Sequence, residues 1–564
     1  MTLRGMSRST ARRIGDAPLI RTTLQSADAT VLVDDHLADG AHGFASGTIV
    51  RLITVQSGSA EIEWSVVGGS RFAQPRRTYR GADSVAWVST DLGAAVIAMR
   101  GINGDAGSQP TVLQSGDSLM ITISPDATDE RVRREEYDRQ MSTLQRTWRR
   151  NLDSGYDGPW RADMRTWFQQ LLLLSNRDSG ALVRSFTTSL PSSLGGERQI
   201  DERLAYLEDG ARFVRLAERL DRGDSVDSTR TWVADALRRG DDRARRADGT
   251  NADAESDLML PGWRGHQPVR RGNKGASTVD LAAIASASLV LDANRDRRTI
   301  VSVANRLTEQ FRSPTRWDGG RWGAYTTATR GKQLQATQWI SSVIAVRSAL
   351  RAATVTERRH NPISIEAAEW QQLGRELDHW LHANGCFGTN ATAGWRRSLD
   401  DNSSDAQLLR FIAPSDTSVD LPDLPDDREG EAAGRVSNAI NQTLAQLDDH
   451  GLLHRHLPHA DDGFAPGQGA DVSATADMVS ALCRLGRWDE ANERMEFLQT
   501  CLTAGSDGVT AGAEPDGFGG RSRGMVTVPS HVDPRTHQHL GNRPYAPALL
   551  SLCEAAMALQ FGPL

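Results

Sequence analysis

The feature that most constrains the fold is a helical periodicity that fills most of the chain. Beyond about residue 156, apolar residues recur at the 3.6-residue spacing of helices that bury one face. Six helical hairpins can close into a toroid whose inner helices surround a cavity. The pattern therefore predicts a mainly α domain over residues 156–564. It predicts twelve helices, beginning near residues 159, 203, 226, 278, 297, 336, 364, 403, 432, 471, 488 and 545.

Four long segments between these helices lack helical periodicity. Long unstructured loops in a compact domain are more often functional than not, because loops carry side chains that the scaffold positions. We therefore expect the functional site at the end of the toroid that carries them. They span residues 241–277, 313–335, 413–431 and 504–544, and the last is rich in Gly, Pro and His.

The N-terminal part of the chain has a different pattern, in which short β-branched runs alternate with turn residues. Two examples are IVRLITVQSG and SLMITIS. Such runs are typical of antiparallel strands, so we predict a β-sandwich over residues 17–125. Residues 1–16 are then an N-terminal tail. Residues 126–155 are charged with apolar residues at helical spacing, which predicts a surface helix that links the two domains.

Composition argues against several classes of protein. The hydrophobic content of 38% supports a packed core, and the formal net charge of −7 is small for 564 residues. Acidic and basic residues are interleaved, which argues against a nucleic-acid partner. No run of about 18 apolar residues occurs, so we expect no membrane association and a cytoplasmic location. Cys386, Cys483, Cys501 and Cys553 lack C-x-x-C spacing, so neither a disulfide framework nor a zinc–thiolate site is predicted.

Five short segments, in order along the chain, carry recognisable motifs. The first reads S-F-T-T-S-L-P from Ser185 and continues as G-G-E-R-Q-I-D-E-R-L-A-Y-L-E-D to Asp209. The others are residues 260–273, 405–409, 485–491 and 532–542. Together they resemble glycoside hydrolase family 15, the glucoamylases and bacterial trehalases, whose first string runs P-T-T-S-L-P and then G-G-x-R-N-x-D-Y-R-Y-x-W-L-R-D.

This resemblance implies an (α/α)6 barrel preceded by a smaller antiparallel β-domain. It implies a small-molecule or oligosaccharide ligand and no cofactor, and it leaves open whether the chain forms a homo-oligomer. The family's opening strands have no counterpart that we identify before residue 17. A reduced or truncated β-domain is therefore expected.

Hydrolysis with inversion needs two carboxyl groups about 6.5 to 9.5 Å apart, one to protonate the leaving oxygen and one to activate water. In the family, the acid follows Trp in a G-x-W-E string, and the counterpart G-R-W-G ends in Gly323. The base lies in S-E-x-x-D-P, and the counterpart P-S-H-V-D-P places Ser530 there. The resemblance thus implies that both glutamates are replaced. An alternative alignment on Trp317 and Asp318 would restore an acid.

Two further departures fall in the same pocket. Glu208 replaces the arginine of W-L-R-D, which in the family holds sugar hydroxyls together with the aspartate equivalent to Asp209. Gln468 stands where the family's E-G-x-F string has a glutamate. The candidate catalytic groups are therefore Glu208, Asp209, Asp318 and Asp471. Asp471 is more often explained as a helix N-terminal charge, and we keep it as a substitute acid.

Six residues form the predicted substrate-binding set. Aromatic faces suit the apolar faces of sugar rings, although tryptophans are also common in cores. The arginine of the W-R-G string could contact a sugar or form a structural ion pair. The set comprises Trp263, Arg264, Trp322, Gln468, Ser530 and His531.

Histidines cluster in two segments, but their spacing matches no established metal-ligand pattern. We therefore predict pocket-lining or surface histidines and no metal site. The two groups are His454, His456 and His459, and His531, His537 and His539.

Two hypotheses about function follow. The first is a carbohydrate-active enzyme that acts on a glucoside through replacement carboxylates, which predicts carboxyl groups converging in one pocket. The second is a catalytically inactive sugar-binding or regulatory relative. A lyase-like or isomerase-like enzyme on a sugar-like substrate is a further alternative. Loss of both glutamates together with the arginine favours a non-hydrolytic role.

Overall fold

The computed structural model of the chain describes residues 2–3, 5–37, 49–63, 66–70, 74–79, 84–89, 93–101, 111–124, 134–153, 156–193, 198–240, 244–258, 262, 268–272, 281–312, 340–384, 386–387, 394–396, 402–412, 431–457, 468–504 and 527–561. The described residues up to 153 form one compact unit, and those from 156 onward form a second.

The first unit is built on antiparallel strands. Nine of the described strands form one sheet in which β2, β3, β4, β5, β11, β9 and β8 follow one another, while β1 and β10 pair with β5. β6 and β7 form a separate pair. The strands are β1 Thr2–Leu3, β2 Arg8–Arg13, β3 Leu19–Gln25, β4 Ala29–Leu37, β5 Ile49–Glu63, β6 Val66–Ser70, β7 Gln74–Tyr79, β8 Ser84–Ser89, β9 Gly93–Gly101, β10 Thr111–Gln114 and β11 Ser118–Ser124.

The long strand β5 joins two groups of strands around one core. Its first part pairs with β4 and β11, and its last part pairs with β1 and β10. Ile53 from the first part and Ile62 from the last are both fully buried in the same cluster. Because side chains alternate across a strand, Val50 and Leu52 face the opposite side.

Helix α1, Arg134–Leu152, covers that opposite side, where Tyr137 packs against Val50 and Leu52. The Gln145 side chain accepts from the backbone amides of Asp16 and Ala17. The predicted linking helix thus packs on the sheet. We expected residues 8–13 to lie in an N-terminal tail, and this was wrong. They form β2, because pairing with β3 supplies hydrogen-bond partners for their backbone N–H and C=O groups.

The second unit contains twelve helices among the described residues, and each begins close to a predicted position. They are α2 Arg161–Leu174, α3 Leu207–Arg219, α4 Asp227–Arg239, α5 Leu281–Ser288, α6 Arg297–Arg312, α7 Ile340–His360, α8 Ile365–Asn384, α9 Leu409–Ile412, α10 Glu431–Leu447, α11 Val472–Arg484, α12 Trp488–Ala504 and α13 Ala546–Phe561.

Burial separates these helices into two kinds. In α11 every residue from Val472 to Cys483 is buried, whereas in α12 buried residues recur along one face only. A helix that is buried on all sides lies inside a domain, and an amphipathic one covers it. Inner helices that are buried on all sides and outer helices that are buried on one face are the two kinds that the predicted barrel of helical hairpins contains. No helix among the described residues is both long enough and apolar enough to span a bilayer.

Candidate functional site

Motif segments that are distant in sequence meet at the beginning of α3. Residues 182–205 run between α2 and α3 and form a bridge with the segment before α13, where Ser185 pairs with Tyr545. The backbone amide of Gly541 donates to the carbonyl of Pro191 at 2.8 Å. The first and last motifs of the sequence therefore build one site.

Asp209 is sealed into this site by an ion pair. It lies in the first turn of α3, where the helix dipole favours a negative charge. Arg184 Nε donates to Asp209 Oδ2 at 2.6 Å, and the guanidinium stacks 3.8 Å from the centre of the Tyr206 ring. Both charged side chains are buried. The contacts assign Asp209 to holding Arg184 in place.

Glu208 lies beside a guanidinium from another motif. Arg410, in α9 directly after the D-A-Q-L-L segment, donates from Nη1 to Glu208 Oε1 at 3.2 Å. Its Nε donates to Asp477 Oδ2 of α11 at 3.3 Å. One arginine thus joins the start of α3 to the middle of α11.

The electrostatic surroundings keep Glu208 ionised. Burial raises the pKa of its carboxyl, but four guanidinium groups outweigh burial and hold the pKa below its ordinary value. A carboxylate of this kind accepts hydrogen bonds and does not supply a proton near neutral pH. The four groups belong to Arg410, Arg212, Arg184 and Arg455.

A further buried arginine extends the network towards α13. Arg212 donates to Glu554 Oε2 at 2.6 Å and to Ser551 Oγ at 3.1 Å, and lies 4.0 Å from Asp477. Burial raises the pKa of Asp477, whereas the nearby guanidinium groups overcome burial and lower that of Glu554. Charged groups that leave water need such partners, so these contacts stabilise the inner helices.

Ser530 is fully buried and points into the protein. Its Oγ has two acceptors within reach of its one proton, His531 Nδ1 at 2.9 Å and Gln199 Oε1 at 3.0 Å. The same oxygen accepts the backbone N–H of Asn542, which fixes the orientation of the Gln199 amide. The hydroxyl of Ser530 is therefore engaged in the core.

The same glutamine contacts the ring of His531 and fixes which ring nitrogen carries the proton. Gln199 Nε2 lies 3.1 Å from His531 Nδ1, and an amide nitrogen only donates, so Nδ1 accepts and the ring proton sits on Nε2. Burial lowers the pKa of His531, and Asp471 opposes this. In this tautomer the neutral imidazole accepts at Nδ1 and donates at Nε2.

Glu202 is a buried carboxyl that the sequence analysis did not single out. Asn542 Nδ2 donates to its Oε2 at 3.0 Å, and the Tyr545 hydroxyl donates to its Oε1 at 3.2 Å. Burial raises the pKa of Glu202 to about 7, against the opposing effect of Arg184 and the two hydrogen bonds. It is therefore protonated in a fraction of molecules near neutral pH.

Asp471 caps a helix. It precedes α11, and its Oδ1 accepts from the backbone N–H of Ala474 at 3.0 Å. Its strand pairs with that of His531, so it lies at the site although one oxygen is committed to the cap. Gln468 is partly exposed three residues earlier, beside Gly469, whose amide donates to Ser192 O.

The remaining predicted site residues lie outside the described residues: Asp318, Trp263, Arg264, Trp322 and, among the histidines, His459. Their roles stay predictions. The described histidines have partners of their own: His454 contacts Asp449 Oδ2 at 3.2 Å, and His539 contacts the carbonyl of Leu502. Within the described ranges, no three His, Cys, Asp or Glu side chains converge as a metal site.

Three charged residues of the network were missed, and each had a signal in the sequence. Glu202 lies inside the first motif where the family string has tyrosine, Arg410 directly follows the D-A-Q-L-L segment, and Arg184 directly precedes Ser185. A charge within or next to a motif that builds a buried site needs a buried partner. On that ground the three residues could have been identified from the sequence as charged groups with buried partners.

Comparisons with known proteins agree with the motifs. No protein-family model matches the sequence. The chain is 24% identical over 492 residues to a trehalase of Mycobacterium tuberculosis, covering 81% of this chain and 63% of that protein. It is 24% identical over 476 residues to a trehalase of Mycolicibacterium smegmatis, covering 81% of this chain and 64% of that protein. The chain thus spans just under two thirds of the length of these trehalases.

In fold, the chain is similar to a bacterial glucoamylase whose crystal structure contains acarbose. The TM-score is 0.57 at 9% identity, with 99% of this chain and 86% of that chain covered. The similarity supports a mainly α protein with an (α/α)6 barrel and an N-terminal antiparallel sheet. In sequence and in fold, the chain resembles the trehalases and glucoamylases of glycoside hydrolase family 15 and is a six-hairpin, glycoside hydrolase-like protein.

Proposed function

We propose that this protein binds a glucoside or a related sugar in a remodelled pocket and does not hydrolyse it through the glutamate pair of its relatives. One observation carries the proposal. The residue at the position of the water-activating glutamate, Ser530, is fully buried and bonded to Gln199. A buried hydroxyl whose one proton is directed at acceptors inside the core, Gln199 Oε1 and His531 Nδ1, does not activate water.

Three of the described carboxylates at the site support the same view. Asp209 is ion-paired and buried, Asp471 caps α11, and Glu208 is held ionised by arginines. A general acid needs a proton at the working pH, which a carboxyl with a lowered pKa lacks. Glu208 therefore fits binding better than proton donation, and the ion pair of Asp209 and the helix cap made by Asp471 commit those two groups to structural contacts.

A hydrolase that uses replacement groups is the second candidate. The 24% identity to two trehalases over four fifths of the chain favours it. His531, neutral and buried beside Asp471, would then act as the base in place of the missing glutamate, which requires the other tautomer, with Nε2 unprotonated.

Binding and turnover are measured separately on the purified full chain. Isothermal titration with trehalose, maltose and isomaltose reports binding, and enzymatic detection of free glucose after prolonged incubation reports hydrolysis. We expect saturable binding of at least one sugar without glucose release. Glucose release that His531→Ala abolishes would support the hydrolase instead. Failure to bind any α-glucoside would refute sugar binding.

A further inference from the structure

Exposed apolar side chains gather at one end of a helical hairpin in the second unit. Residues 361–364 join α7 to α8. Five large apolar side chains are exposed among the described residues of this unit, and three of them lie here: Ile363 is 89% exposed, Ile365 76% and Val355 48%. Single exposed apolar residues are normal, but several in one place mark an interaction site. We call residues 355–369 the α7–α8 tip.

Hydrogen bonds fix the turn that carries the two isoleucines. Ser364 lies between them, and its backbone N–H donates to the carbonyl of Asn361 at 3.1 Å. Its Oγ accepts from the backbone N–H of Ala367 at 3.1 Å, which caps α8. Arg358 Nη2 donates to Gln371 Oε1 at 2.7 Å and ties the end of α7 to α8. Side chains on a backbone that is fixed before association lose little entropy when a partner binds.

Charged side chains of opposite sign flank the isoleucines. The last turn of α7 is basic, with Arg358, Arg359 and His360, and Glu366 lies in the first turn of α8. Glu369 lies one turn further, with its side chain half exposed. The helix dipoles account for the sign of the charge at each helix end, since cations are favoured at the C-terminus and anions at the N-terminus. They do not account for two exposed isoleucines between these charges.

The order of basic, apolar and acidic groups makes the α7–α8 tip complementary to itself. When two copies of one chain meet about a two-fold axis, each contact between two different residues occurs twice. An axis through the apolar residues places the basic side of each copy on the acidic side of the other. This charge complementarity favours a second copy over a uniformly charged partner, which could pair with only one of the two sides.

We propose that the α7–α8 tip is the contact surface of a homodimer. In this arrangement Ile363 and Ile365 of the two copies pack against one another and leave water. Arg359 of each copy pairs with Glu366 of the other. A stable interface buries about 800 Å² on each partner, so the charged side chains around the isoleucines are part of the contact.

The first test measures the mass of the purified full chain by sedimentation equilibrium across a dilution series. We expect a concentration-dependent equilibrium between one copy and two. Ile363→Asp and Ile365→Asp each place two charges in the apolar centre, since every residue occurs twice, and each should weaken the dimer by about 30-fold or more. The control is Val112→Asp, because Val112 is 58% exposed on β10 of the first unit and is not part of the α7–α8 tip. It should dimerise as the unchanged chain does.

The second test reverses the charges. Arg359→Glu and Glu366→Arg each bring like charges together at both pairs, so each should weaken the dimer about 10-fold. An equal mixture of the two variants again has opposite charges at both pairs, and so has the double variant. We expect the mixture and the double variant to dimerise as the unchanged chain does. Circular dichroism reports whether each variant is folded, which the exposure of these side chains leads us to expect.

The outcomes are distinct. A single copy at every concentration would overturn the proposal and leave the α7–α8 tip to a different protein. A dimer that neither isoleucine variant weakens would overturn it as well, because the contact would then lie elsewhere on the chain. If the isoleucine variants dissociate the dimer but the mixture of charge variants does not restore it, the pairing of Arg359 with Glu366 is refuted.

Discussion

Substitution of Glu202 by glutamine tests whether burial of this carboxyl destabilises the barrel unit above neutral pH. The carboxyl has a pKa of about 7 in the folded protein because burial raises it from 4.5. A folded-state pKa above the unfolded value means that the folded state binds the proton more tightly, so stability is lost as pH rises from about 4.5 through about 7. At about 1.4 kcal/mol per pKa unit, the loss amounts to about 3 kcal/mol.

Glutamine keeps the shape and the hydrogen bonds without a titrating group. Its Oε1 can accept from Asn542 Nδ2, while its Nε2 donates to the oxygen of Tyr545. Glu202→Gln should therefore match the unchanged protein in stability near pH 4.5 and exceed it above pH 7. With about 2.1 cal/mol/K of unfolding entropy per residue, 3 kcal/mol corresponds to a thermal midpoint about 4 °C higher for a unit of this size.

Scanning calorimetry at half-unit steps from pH 4.5 to 8 measures the difference between the two proteins. Tyr545→Phe is the control, since it removes a hydrogen bond that favours the charged form and should move the transition to higher pH. A difference between Glu202→Gln and the unchanged protein that does not vary with pH would show that Glu202 does not titrate in this range.

Three further substitutions test the structural roles assigned above by thermal or chemical unfolding. Arg184→Ala leaves Asp209 buried without its ion pair and should destabilise the barrel unit by about 3 to 5 kcal/mol, and a loss below 1 kcal/mol would contradict a sealed pair. Asp471→Ala removes the cap of α11 and should cost about 1 kcal/mol, largely restored by Asp471→Asn; an alanine variant as stable as the asparagine one would argue against capping. Gly541→Ala brings a Cβ into a clash with Ser530 Oγ at a φ of +70°, whereas Gly486→Ala in the same unit has nearly the same φ, +72°, and meets its nearest atom, Trp488 Nε1, only at 4.0 Å. The first should destabilise far more than the second, and equal losses would refute the close packing behind Ser530.

The candidate site could be predicted only in part from the sequence. Motif strings located the segments that meet, because glycines and apolar residues at fixed spacing specify local backbone paths. They did not separate a partly exposed carboxylate from a sealed one. Asp209 and Glu208 are neighbours in the same helical turn, yet one is sealed against Arg184 and the other is partly exposed beside Arg410. The partner of Asp209 lies 25 positions away and that of Glu208 lies 202 positions away, and no local pattern encodes either pairing.

The sequence by itself determined the class of fold and the placement of the helices that the structure describes, because the 3.6-residue period of apolar residues reports which face of each segment is buried. It also predicted that the usual glutamates are replaced at the aligned positions. Only the tertiary structure decided which contacts these residues make. The buried hydroxyl of Ser530 lies against Gln199, and burial raises the pKa of Glu202 to about 7. Arg410, which follows one motif, donates to Glu208 of another. Burial and charge pairing arise from contacts between distant segments, so they exist only once the chain has folded.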